Sequence, residues 1–148
     1  MILRGIPTVV SSDLLKGLAD MGHADLIVVA DDFYPPITKT PNGLSIHAKG
    51  NTAAEMIESI LKLMPLDVDY CEHPVLYMCP DEDSGIIMEQ NDVWGDVIYA
   101  VEQSGHKAEC VGKIERTKFY EKASGAYITL CTSEQRPYGC FILQKGVM

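Results

Sequence analysis

Two runs of five apolar residues, Leu26–Ala30 and Val75–Cys79, constrain this chain more than any other feature. Such runs have strand length, and with no polar residue at alternate positions they must be covered on both faces. The first is closed by Asp31-Asp32. The cover is predicted as helices. Ser11-Ser12-Asp13 reads as an N-cap, Leu14, Leu15, Leu18 and Met21 follow at helical spacing, and Gly22 fits a left-handed stop. Thr52-x-x-Glu55 is a capping-box pattern ahead of Met56, Ile57, Ile60, Leu61 and Met64, with Pro65 ending that helix. A third helix is expected over 93–103, stopped by Gly105. Weaker strand patterns lie at 44–47, 110–114, 127–132 and 140–143, and 81–92 reads as an acidic loop. Strands interleaved with helices predict one α/β domain over 1–148, a sandwich with a largely parallel sheet flanked by helices. In open sheets of this class ligands sit beyond the carboxyl ends of the strands, where Asp31 and Asp32 stand.

Charge narrows the partners. The net charge is −9, with 5 basic and 17 acidic side chains in 1–105 against 7 basic and 4 acidic in 106–148. A negative surface repels phosphate backbones, so nucleic acid is not expected as a partner. A membrane helix needs about 20 apolar residues, which no run approaches. The cysteines are Cys71, Cys79, Cys110, Cys131 and Cys140, an odd number without a C-x-x-C pair. That usage suits a reducing compartment. The first residues lack the long apolar core of a signal peptide. The expected location is cytoplasmic.

Nucleotide-binding glycine loops, the nucleophile elbow and the H-E-x-x-H zinc motif are absent from the sequence. His23 with Asp25 and Asp31 lacks recognisable metal-ligand spacing. As a proton carrier His23 is more interesting. An imidazole gives or takes a proton near neutral pH, Asp25 is close enough to orient it, and Asp31 follows one strand later. Spacing alone favours a surface-turn histidine beside two capping aspartates; the acid–base pair is the functional alternative. The stretch Arg116-Thr117-Lys118-Phe119-Tyr120-Glu121 and the later Tyr138-Gly139-Cys140 offer flat apolar faces with hydroxyl and guanidinium donors. Sugars need both, since their C–H faces stack and their hydroxyls hydrogen-bond. The structural alternative has Phe119 and Tyr120 in the core and Arg116 paired with Glu115 or Glu121.

In these residues the chain resembles the sugar mutarotase family that comprises L-fucose mutarotase and D-ribose pyranase. The resemblance runs from Met21-Gly22-His23-Ala24-Asp25 through Ala30-Asp31 and Pro35 to Leu66-Asp67 and 74–78. It is densest over 113–121, KIERTKFYE, and returns at Tyr138-Gly139 and Lys145-Gly146-Val147. Arg116 and the Tyr-Gly pair look like the fucose branch; the ribose branch typically has histidine at the Arg116 position. The resemblance implies an isomerase that exchanges the α and β anomers of free L-fucose by acid–base assisted ring opening and closure, without cofactor or metal. The alternatives are pyranose–furanose exchange of D-ribose, or a non-catalytic sugar-binding oligomer. A homo-oligomer is implied too, often a decamer of two five-membered rings, with sites near subunit contacts. By matching positions His23 takes the proton-donating role, and Asp31 contacts the sugar and serves with Asp67 as candidate second acid or base. Asp69 competes with Asp67 for that position. Met78, Arg116, Tyr120 and Tyr138 take substrate-binding roles. Cys140 stands where the family usually has Asn, so at this substrate-binding position either the backbone serves or the sugar preference has shifted.

Overall fold

The apolar runs become strands where the pattern places them, and the computed structural model describes residues 2–148. The elements in chain order are α1 (Ser12–Asp20), β1 (Leu26–Ala30), α2 (Pro36–Lys39), β2 (Leu44–Ala48), α3 (Ala53–Leu61), β3 (Val75–Cys79), α4 (Asp92–Gln103), β4 (Val111–Glu115), α5 (Arg116–Ala123), β5 (Ile128–Thr132) and β6 (Phe141–Gln144). They form a single-domain α/β fold. The helix starts are locally encoded. Ser11 accepts from the Leu14 N–H, and Thr52 and Glu55 make both bonds of the capping box. Gly105 takes φ +95° after α4, the left-handed conformation glycine adopts freely.

The six strands order as β2-β5-β1-β6-β3-β4. β1, β2 and β5 pair in parallel, as do β3 and β4, but β6 runs antiparallel between β1 and β3. The sheet is therefore mixed, which corrects the expected largely parallel sheet at its centre. The apolar pattern could not show this, because a strand buried on both faces reads the same in either direction.

Alternation splits β1 between two cores. Ile27 and Val29 pack with α1, α3 and α4; Val28 and Ala30 pack with Phe119 of α5 and Tyr34. Phe119 is fully buried, and truncating such a ring to alanine costs about 3–5 kcal/mol. Gly17 lets α1 lie close on the sheet: a Cβ there would stand 2.6 Å from Ile128 Cδ1. Gly22 is not the left-handed stop of α1. The chain leaves the helix extended at Met21, the Gly22 N–H is taken by the Asp25 carboxylate at 2.7 Å, and Ala24 adopts φ +68°. Among the described residues no helix is long and apolar enough to cross a membrane.

Candidate active site

The antiparallel direction of β6 builds the pocket. Its first residues lie at the carboxyl ends of its neighbours, so Tyr138, Gly139 and Cys140 enter between Asp31, which follows β1, and Met78 on β3. The Cys140 carbonyl accepts from the Met78 N–H at 3.0 Å, and its thiol accepts from the Asp31 N–H at 3.4 Å. Gly139 permits the approach: a Cβ would sit 2.8 Å from Glu134 Cγ and 3.1 Å from the Arg136 carbonyl oxygen. Arg116 and Tyr120 arrive from α5. No side chain of Glu115 caps that helix; Asp81 does so from across the sheet end, accepting from the Thr117 N–H at 2.9 Å and its hydroxyl at 2.7 Å. Asp81 also lies 4.0 Å from the Arg116 guanidinium, offsetting a cation placed at the positive end of a helix.

Six residues singled out from the sequence, Asp31, Met78, Arg116, Tyr120, Tyr138 and Cys140, thus line one cavity of about 160 Å³ together with Phe33 and Tyr34. Phe119 takes the core position while Tyr120 turns to the pocket, its ring under Arg116 at 5.7 Å and beside Tyr34 at 5.9 Å. Arg116 pairs with Asp81 rather than with Glu115 or Glu121. Burial raises the Asp31 carboxyl above the usual carboxylate range, and bonds from the Phe33 and Tyr34 N–H groups offset only part of that. Burial also pushes the Tyr34 hydroxyl up to about 12 and raises Tyr120, so both are neutral donors near pH 7. The Cys140 thiol is raised well above its ordinary range, first by burial and then by the Asp31 charge. It is an inert support beneath Asp31 rather than a nucleophile.

His23 is elsewhere. It precedes β1 while Asp31 follows it, and the five residues of β1 alone span roughly 16 Å. The pairing of His23 with Asp31 within one chain is not formed. His23 Nε2 instead meets Asp67 Oδ1 at 3.1 Å, and the Gln144 amide donates to Asp67 Oδ2 at 2.8 Å. Burial works to raise the Asp67 carboxyl, but these two bonds outweigh it and hold the group below its usual range. Of the two competing aspartates, Asp67 is the buried one facing His23, and Asp69 is exposed. His23, Asp25 and Asp31 do not converge, since Asp25 is occupied at Gly22.

Phe33 and Tyr34 were not singled out from the sequence, though their place directly after Asp31-Asp32 was a signal. A larger cleft of about 830 Å³ lies around Tyr77, Trp94 and Lys113. It contains none of the expected site residues and mixes charges of both signs without a proton-transfer pair.

Known proteins share this sequence pattern and fold. The model of the RbsD / FucU transport protein family matches residues 4–148. The human fucose mutarotase is 38% identical over 150 residues, covering 99% of this chain and 94% of the relative. The L-fucose mutarotase of Glaesserella parasuis serovar 5 is 34% identical, covering 99% and 96%. The crystal structure of the fucose mutarotase in complex with L-fucose from Streptococcus pneumoniae superposes with TM-score 0.87 at 36% identity, covering 99% of each chain.

Proposed function

Because the chain belongs to the RbsD / FucU transport protein family, we propose that it is an isomerase exchanging the α and β anomers of free L-fucose. The observation that carries this reading is the convergence of Asp31, Met78, Arg116, Tyr120, Tyr138 and Cys140 on one pocket, in a fold shared with a protein solved with L-fucose.

Anomer exchange requires the ring oxygen to gain a proton as the anomeric hydroxyl loses one. The C1–O5 bond then breaks, the aldehyde rotates, and the ring closes on its other face. Asp31, half-way desolvated with a raised carboxyl, suits the anomeric hydroxyl. Arg116 and the tyrosine hydroxyls donate to sugar oxygens, and the rings of Tyr120 and Tyr138 offer flat faces for its C–H groups. His23, held by the fixed Asp67 carboxylate, suits the ring oxygen.

One chain does not bring His23 and Asp31 to one sugar, so we take the site to be completed by a second copy. Two features support that. The pocket is smaller than the roughly 300–1,000 Å³ of ordinary small-molecule sites. Both half-sites carry uncovered apolar side chains: Phe33 and Ile37 are 72% and 78% exposed beside the pocket, and Tyr70 is 74% exposed with its ring 5.0 Å from His23. The expected ring-built decamer would supply such contacts. A reducing, cytoplasmic setting suits the five free cysteines.

Saturation-transfer proton NMR on equilibrated L-fucose tests the function. Magnetisation passing between the two anomeric protons only in the presence of protein is the expected result. Transfer with D-ribose but not L-fucose would reassign the substrate. Binding of L-fucose without transfer would reduce the protein to a sugar-binding oligomer.

A further inference from the structure

Tyr138 enters the pocket with φ +56°, a left-handed conformation that a non-glycine residue keeps only where its surroundings impose it. The surroundings here belong to the first turns of α4, outside the pocket. The Asn91 side-chain amide donates to the Pro137 carbonyl at 2.8 Å. The Trp94 indole N–H donates to the Tyr138 carbonyl at 2.9 Å. Asp96 accepts from Arg136 at 2.7 Å. Two side chains of α4 and its N-cap Asn91 therefore grip three successive residues, 136 to 138. The indole is itself fixed, since it is buried and stacked on Tyr77 with centroids 4.4 Å apart and planes 29° apart.

We propose that Trp94 and Asn91 are positioning residues, which set the Tyr138 backbone so that its ring and hydroxyl face the sugar, and so govern affinity for it. This rests on the functional reading above. An indole nitrogen is a donor only, so the carbonyl of Tyr138 is the group it can hold. Rotation of that peptide would carry the side chain with it, whereas the stack on Tyr77 would survive loss of the N–H.

The test is the pair Trp94→Phe and Asn91→Asp. The first keeps an aromatic ring against Tyr77 and removes the donor. The second keeps the helix cap, because an Asp oxygen can still accept from the Val93 N–H as Asn91 does now, and it replaces the amide donor with an acceptor oxygen that the Pro137 carbonyl cannot pair with. Exchange measured against L-fucose concentration should show KM raised about three- to tenfold in each, the worth of one neutral hydrogen bond, with kcat changed less. In a Tyr138→Ala background both substitutions should leave KM unmoved. Trp94 is the chain's one tryptophan, so its emission should change on L-fucose titration of the wild type with the same half-point as exchange. A role in folding alone would lower Tm, leave KM within twofold and leave emission blind to sugar; that result overturns the proposal. An equal KM effect with and without the Tyr138 side chain overturns it too. If Trp94→Phe does not fold, Asn91→Asp and the wild-type titration decide. Wild-type protein that exchanges no L-fucose sinks the functional reading and this inference with it, whereas wild-type exchange with unaltered variants sinks the inference alone.

Discussion

Asp67 and Asp31 stand at opposite ends of the same strand, both desolvated, and their carboxyls shift in opposite directions. At the amino end of β1 the Gln144 and His23 side chains outweigh burial, and Asp67 is a fixed anion that orients an imidazole 39% exposed to solvent. At the carboxyl end Asp31 has backbone N–H groups and a buried thiol for company, burial wins, and the carboxyl stands nearer to neutrality. The same residue type thus yields a fixed charge beside an imidazole at one end and a carboxyl raised by burial at the other. β6 connects them: Cys140, just before it, supports Asp31, and Gln144, its last residue, supports Asp67. The difference teaches that the carboxylate with an imidazole partner and the carboxyl raised by burial lie on two surfaces, each short of what the other carries.

The largest effect should come from separating the ends. His23→Ala and Asp31→Asn should each lower exchange by about 10² to 10⁴. Unfolded together and reassembled as mixed oligomers, the two variants should regain about a quarter of wild-type exchange, since random pairing reunites an intact His23 with an intact Asp31 in that share of contacts. No recovery in the mixture would show that each end works within its own chain.

The opposed carboxyl shifts predict opposed stability effects. For Asp31 the folded pKa is raised, so its contribution is full below the unfolded carboxylate range and is lost as pH rises through the folded value. Asp31→Asn should then raise Tm at pH 7, and the gain should vanish toward pH 3. For Asp67 the folded pKa is lowered, so its contribution is present above the unfolded range and is lost as pH falls through the folded value. Asp67→Asn should lower Tm at pH 7, and the loss should shrink as pH falls below the usual carboxylate range. Thermal melts across that range check both, and shifts of the same sign would break the contrast.

Arg116→Lys should raise KM for L-fucose about fivefold, because an ammonium lacks the fork and flat face that Arg116 presents over Tyr120. Cys140→Ser should matter least, changing exchange by less than about threefold, since a serine hydroxyl can also accept from the Asp31 N–H. A large loss there would make Cys140 a sugar contact in its own right.

Much of the fold was legible locally. Leu26–Ala30 and Val75–Cys79 are strands at the residues the apolar pattern marked, and the capping box at Thr52 and Glu55 is formed as written. These features depend on residues within one turn or one strand of each other. The pocket residues were legible through resemblance, because spacing alone could not tell Tyr120 at the pocket from Phe119 in the core, one residue apart on the same helix. The helix cap from Asp81 was not legible, since its partner lies 36 residues away.

The amino-acid sequence by itself determined the six strands and the helices α1, α3 and α4, because periodicity and capping are written in neighbouring residues; α2 and α5 were not expected from it. Only the tertiary structure decided that β6 runs against its neighbours, that Cys140 lies under Asp31, and that His23 faces Asp67 instead of Asp31. A segment buried on both faces carries no mark of direction, so its orientation is set by the contacts available in the closed sheet. That orientation brings Cys140 to Asp31 and Gln144 to Asp67, at the two ends of β1.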